Sequence, residues 1–236
     1  MWAKVPRPDT SYGTPLYIRK ITLVLLQLLT AEEVIFCLDQ WQEMQDGSNS
    51  QPLTTEKYDL KNNTESRKMP QEVSTLLTSK IYNNHYVDSV VCPSKVSVNF
   101  YNEYTEGGYY RKHVDSFKAF PKANNVFFDY GFTLCLDDEH EGGEFVLENE
   151  VGEIVYPLKR GQILIFPIIY PHSVNKVTSG SRKAIVGWMS SNVSYEQSYI
   201  LKHVYQLNAD AIKSLNEEMI VKSGVVQNYL IKHWST

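Results

Sequence analysis

The sequence predicts a mainly β chain with flanking α-helices, folded as an antiparallel sandwich or jelly roll, and three observations predict it. Between residues 94 and 191, short runs rich in β-branched and aromatic residues recur at regular spacing with turn residues between them. Ahead of them, two segments carry apolar residues at helical spacing, and behind them helical spacing returns.

The elements follow in chain order. Residues 1–20 carry four basic residues and precede the apolar run 21–29, which superficially mimics a signal peptide. Gln27 interrupts the run, no small-residue cleavage site precedes Glu32 and Glu33, and bilayer spans need about 20 apolar residues. A buried strand is the better reading. Thr30 and Glu33 form a capping-box pattern that starts a helix over 31–44, with Val34, Ile35, Leu38 and Trp41 on its core face. Residues 45–67 are polar and rich in Asn, Ser and Gly, which predicts a long loop with at most a short strand. Pro70 suits the first turn of a second helix with the stripe Val73, Leu76, Leu77 and Ile81.

From residue 94 the period changes to two. Val96, Val98 and Phe100 alternate with polar residues, and 126–136, 144–147, 153–158, 162–166 and 183–188 are further strands. Gly107-Gly108, Gly142-Gly143, Gly161 and Ser179-Gly180 mark turns. Leu201, Val204, Leu207, Ile212 and Leu215 then predict one or two helices, and residues 220–234 another.

Composition limits the function classes. A chain of 236 residues with 42% hydrophobic and 21% charged residues suits one globular domain over 1–236: helical support at 30–90, a β core at 94–191 and C-terminal helices at 193–234. A net charge of −4 lacks the whole-chain footprint of a nucleic-acid binder, so nucleic acid is disfavoured as a partner. No segment is long enough for a membrane helix, and three widely spaced cysteines fit free thiols in a reducing, cytoplasmic compartment. Oligomeric state is not legible. The 16 tyrosines are conspicuous, since each combines an apolar body with a polar tip.

The chemistry concentrates in His113 and Asp115. On a strand, side chains two apart share a face, so an imidazole nitrogen and a carboxylate oxygen can meet one point. His172, after the apolar run 163–169, supplies a third candidate ligand. Two histidines and a carboxylate leave open positions that suit non-haem Fe(II). A lone His-x-Asp pair is common on solvated surfaces, and His172 alone could serve a turn; the surroundings add weight. A turn at Ser179-Gly180 would make a β-hairpin that returns Arg182 beside His172, where its guanidinium fork suits a carboxylate. Gly142-Gly143 is read as a tight turn only, and His140 as solvated among acidic residues.

These segments, YTEGGYYRKHVD (104–115), EGGEF (141–145), RGQILIF (160–166) and HSV (172–174) through RKAIVGW (182–188), resemble the Fe(II)- and 2-oxoglutarate-dependent oxygenases. Within that superfamily the resemblance is to the prolyl 4-hydroxylase branch, including bacterial and phage-type members, and it covers about 94–191. It implies a double-stranded β-helix (jelly roll) core in which His113, Asp115 and His172 hold iron. Arg182, ten residues beyond His172, would pair with the distal carboxylate of 2-oxoglutarate. Tyr104 would contact the same cosubstrate, although its spacing to the histidine is one residue shorter than in some relatives. Trp188 and Tyr110 would wall the pocket, each with core packing as its plainer role.

The implied reaction couples oxidative decarboxylation of 2-oxoglutarate, with dioxygen, to hydroxylation of a C–H bond, with ascorbate as helper reductant and a prolyl residue of a peptide or protein as substrate. Three alternatives stand beside it. A nucleic-acid demethylase of the same superfamily would carry a second arginine where this chain has Trp188. A zinc hydrolase would leave Arg182 without a task. A non-catalytic metal-binding jelly-roll protein is disfavoured because all four central polar residues are present. Residues 45–67 and 118–125 are either lids or plain loops, with Lys118, Phe120 and Pro121 placed for substrate contact. Of the tyrosines, Tyr101, Tyr104, Tyr109 and Tyr110 crowd the approach to His113, with Tyr130 and Tyr170 near the same barrel.

Overall fold

The computed structural model describes residues 22–41, 43–50, 59–116, 127–149 and 152–234. The basic stretch 1–20 and the segment containing Lys118, Phe120 and Pro121 lie outside these.

Two antiparallel sheets face each other. The larger has the order β1 (Val24–Gln27), β11 (Gln162–Pro167), β7 (Tyr130–Cys135), β13 (Val177–Ser191), β5 (Pro93–Thr105), β4 (Thr64–Ser66), β2 (Gln45–Asp46), with β8 (His140–Gly142) paired to one end of β13. The smaller has the order β10 (Gly152–Tyr156), β9 (Phe145–Asn149), β12 (His172–Val174), β6 (Tyr109–His113), β3 (Lys61–Asn62). This is the jelly roll the sequence predicts, with β7 and β11 buried on both faces.

The larger sheet is backed by α1 (Ala31–Asp39), α2 (Gln71–Tyr82) and α3 (His85–Val91). Val34, Cys37, Val73, Leu77, Ile81 and Val87 pack on Tyr101, Tyr130, Phe132, Leu134, Ile163, Ile165, Ile185 and Met189. The opposite residues of the same strands, Tyr104, Leu164, Phe166 and Val177, meet Phe145, Leu147, Tyr170 and Val174 between the sheets. Period-two alternation therefore divides each strand between a helix-facing core and a barrel interior. The C-terminal helices α4 (Tyr195–Lys213) and α5 (Glu217–Trp234) seat Leu201 on Cys92 and Val193.

The helix starts are legible and one end is not. Thr30 accepts from the Glu33 amide while Glu33 reaches back to the Thr30 amide, a reciprocal cap worth about 1 kcal/mol. The helix stops at Asp39 rather than running to Met44, because Trp41 turns its ring onto Tyr101, 4.5 Å away. Cys37 rather than the exposed Ile35 then completes its buried face. Pro70 sits at the N-cap of α2, one position earlier than expected. Helix α3 was not evident in the sequence.

Two further readings need correction. The polar segment 45–67 contains three short strands as well as loop: β4 pairs with β5 in the larger sheet and β3 with β6 in the smaller, so 61–66 bridges the two sheets. Ser179-Gly180 is not a turn. Both lie inside the 15-residue β13, where pairing to β8 with a register shift keeps the strand going. Gly180, at φ +78°, brings β13 so near that a Cβ there would sit 2.7 Å from the Glu139 carbonyl.

Candidate active site

His113 ends β6, Asp115 follows it, and His172 opens β12, directly paired with His113 across the ladder. The three ligand-capable atoms lie within 4.8 Å of one another. His113 Nε2 is 3.8 Å from Asp115 Oδ1, and His172 Nε2 is 3.7 Å from Asp115 Oδ2. Each histidine has its other nitrogen, Nδ1, on a backbone carbonyl: Arg111 at 2.8 Å and Tyr170 at 3.1 Å. With Nδ1–H donating, each Nε2 presents a lone pair to the common point, the orientation a metal ligand needs. Burial, followed by the influence of His172, holds His113 down to about 3, so its imidazole is neutral at physiological pH. Tyr110 stacks on the His113 ring at 3.7 Å, and Phe145 and Phe166 flank His172.

Arg182 reaches the same cavity by a route other than a hairpin. Its strand belongs to the larger sheet and His172 to the smaller, so the two side chains line one cavity from opposite sheets. Arg182 is 4% exposed, donates to Thr133 Oγ1 at 3.2 Å, and lies 5.3 Å from the Tyr104 ring. Among the described residues no carboxylate is within ion-pair distance of it. A buried guanidinium without a counter-ion is costly, and a carboxylate-bearing ligand would remove that cost. Tyr104, its direct ladder partner, is also buried, which pushes its hydroxyl up to about 12 despite the nearby guanidinium.

Trp188 does more than line the cavity. Its indole Nε1 donates to Asp115 Oδ2 at 2.9 Å, so the larger sheet positions a ligand candidate of the smaller one. The ring also meets Phe100 edge-on at 5.7 Å and Phe128 at 6.2 Å, forming an aromatic wall beside Asp115.

The cavity measures about 690 Å³, and all seven candidate residues from the sequence line it. Other tyrosines do not. Tyr101 points to the helices and donates to the Cys37 carbonyl, Tyr130 packs in the helix-backed core, and Tyr109 turns outward to the Asp59 carbonyl. The three cysteines are buried free thiols, with Cys37 and Cys92 pushed up to about 11 by burial, so none is activated. His140 is half-buried rather than solvated, and its Nδ1 has no hydrogen-bond partner among the described residues.

Thr133, Gly143, Lys61, Glu65 and Asn99 were missed. Thr133 carried a signal, as a polar residue within an apolar strand. Gly143 is more than a turn residue: a Cβ there would lie 3.1 Å from Arg182 Cδ, so its absence makes room for the arginine stem. No helix among the described residues is long and apolar enough to cross a membrane.

Comparison with known proteins agrees with this geometry. The family profile described as "2OG-Fe(II) oxygenase superfamily" matches residues 100–190. A PKHD-type hydroxylase from Idiomarina loihiensis is 35% identical over 188 residues, covering 75% of this chain and 82% of that protein. A Pseudomonas putida prolyl-4-hydroxylase has the same fold at 15% identity and TM-score 0.52, covering 74% of this chain and 95% of its own. HygX from Streptomyces hygroscopicus, solved with nickel and 2-oxoglutarate bound, matches at 10% identity and TM-score 0.53, covering 75% and 85%.

Proposed function

The chain belongs to the PKHD-type hydroxylases of the 2OG-Fe(II) oxygenase superfamily and is an Fe(II)- and 2-oxoglutarate-dependent dioxygenase, and on that footing we propose that it hydroxylates a prolyl residue in a peptide or protein. One observation supports the assignment of roles: two imidazole Nε2 atoms and a carboxylate converge in the same cavity as a buried arginine that has no carboxylate partner among the described residues.

In this reading His113, Asp115 and His172 hold the iron. The donor set fits it, since one carboxylate and two imidazoles suit a divalent ion that keeps open positions for further ligands. Bound iron supplies the activation of dioxygen that oxidises 2-oxoglutarate to succinate and carbon dioxide and the substrate C–H to C–OH. Arg182 and Thr133 anchor the distal carboxylate of 2-oxoglutarate, and the Tyr104 ring covers the guanidinium face. Trp188 fixes the Asp115 carboxylate, and Phe145 and Phe166 keep water from His172. The chain positions and excludes; the redox chemistry belongs to the cofactor and needs no acid–base dyad. The flat faces of Phe100, Phe128 and Trp188 beside Asp115 suit a small apolar ring such as pyrrolidine. Ascorbate would serve as a helper reductant.

Anaerobic addition of Fe(II) and 2-oxoglutarate is expected to give a weak visible charge-transfer band, lost in His172→Ala. Absence of the band in the wild type, with uptake of zinc instead, would overturn the assignment. Succinate and hydroxyproline formation across proline-containing peptides then tests the substrate.

A further inference from the structure

The cavity has a charged wall that none of these roles uses. Lys61 and Glu65 stand on β3 and β4, the two short strands that join opposite sheets. Lys61 lies opposite Tyr110 on the ladder and Glu65 opposite Asn102, so both share a face with cavity residues. Their side chains are only 3% and 7% exposed, with Lys61 Nζ 3.0 Å from Glu65 Oε2. Arg67 Nε is 3.3 Å from the other oxygen, Oε1, and its guanidinium lies 5.5 Å from the Phe100 ring. Two cations thus engage the Glu65 carboxylate and a third, Lys95, lines the same cavity, in a protein whose net charge is −4.

Stability alone does not account for this pair. Replacing a buried ion pair by apolar side chains of similar volume is often neutral or stabilising, whereas this one is kept ionic in the wall of a binding cavity. Its position is specific as well. Lys61 Nζ is 5.2 Å from the centre of the Tyr110 ring, and that ring stacks on His113, so the ammonium stands one ring away from a metal ligand. A second polar feature accompanies it. Asn99 occupies a bulge in β5, where the pairing skips from Phe100 to Val98, and its buried Oδ1 has no hydrogen-bond partner among the described residues.

We propose that Lys61, oriented by Glu65, anchors a carboxylate of the substrate close to the carbon that is hydroxylated, so that the enzyme prefers a prolyl residue next to an acidic residue. Glu65 engages Lys61 and Arg67 through its two oxygens, fixing the ammonium against the cavity wall. Asn99 takes an adjacent backbone N–H of the same peptide. This inference rests on reading the cavity as the substrate chamber of a peptidyl hydroxylase.

The test uses the full chain with Fe(II) and 2-oxoglutarate under anaerobic conditions, titrated calorimetrically with acetyl-Pro-Glu-amide against acetyl-Pro-Gln-amide, and with free glutamate against glutamine. Loss of one charge-assisted hydrogen bond predicts about tenfold tighter binding of the acidic member. That preference should fall to about one in Lys61→Met. Because Lys61→Met alters a buried pair, Lys61→Met/Glu65→Met serves as a second variant without an orphaned buried charge, with its melting curve as the check on folding. Equal binding of both members by the wild type, a preference unchanged in both variants, or binding of no member of either series overturns the proposal. A Lys61-dependent acidic preference without hydroxyproline after admission of oxygen supports the carboxylate site and overturns the prolyl reading instead.

Discussion

The two sheets divide the work unequally. The smaller carries His113 and His172 on short strands, with Asp115 just beyond, and its outer strand β10 leaves Ile154 and Val155 exposed. The larger carries Arg182, Thr133, Tyr104 and Trp188 on long or fully buried strands, and three helices cover its outer face. One sheet thus supplies the candidate metal ligands, and the other supplies the buried arginine and the rigidity. The Trp188–Asp115 hydrogen bond ties them together. In the proposed assignment metal binding and cosubstrate binding fall to different sheets, so each can be altered through its own.

The largest expected effect is on stability. Phe132→Ala removes a side chain at the centre of the helix-backed core and is expected to cost about 3–5 kcal/mol by denaturant unfolding. Val155→Ala, on the exposed outer strand of the smaller sheet, should stay within about 0.5 kcal/mol. Similar losses for the two would contradict the asymmetry. Next, Arg182→Ala should raise the KM for 2-oxoglutarate about a hundredfold or more, within the range for truncating one partner of a buried charge pair. Fe(II) affinity, read by anaerobic titration, should change little; equal loss of both would dissolve the division between sheets. The smallest catalytic effect is expected from Trp188→Phe, which keeps the ring and removes the donor to Asp115. Metal affinity should fall about tenfold, as for other partners that orient a ligand. An unchanged affinity would reduce Trp188 to a wall residue.

Much of this was legible before any coordinates. The capping box at Thr30 and Glu33 acts over one helical turn, so four residues are enough to place the helix start. His113 and Asp115 two apart, and the polar Arg182 and His172 beside apolar runs, mark chemistry where packing alone would place none. Trp41 ending α1 was not legible, because its ring is held by Tyr101, 60 positions away. Nor was the course of Ser179-Gly180, which is decided by whether β8 is available to pair.

The sequence by itself determined the jelly-roll class, the flanking helices, the family and the seven candidate site residues, because local periodicity, capping and short motifs are properties of neighbouring residues. Only the tertiary structure decided that Arg182 reaches the site from the opposite sheet, that Trp188 grips Asp115, that Gly143 yields space to Arg182, and that Lys61 and Glu65 line the cavity from a segment that looked like loop. Each of these depends on segments brought together by the pairing of distant strands, and that pairing is chosen by sheet register rather than by local spacing.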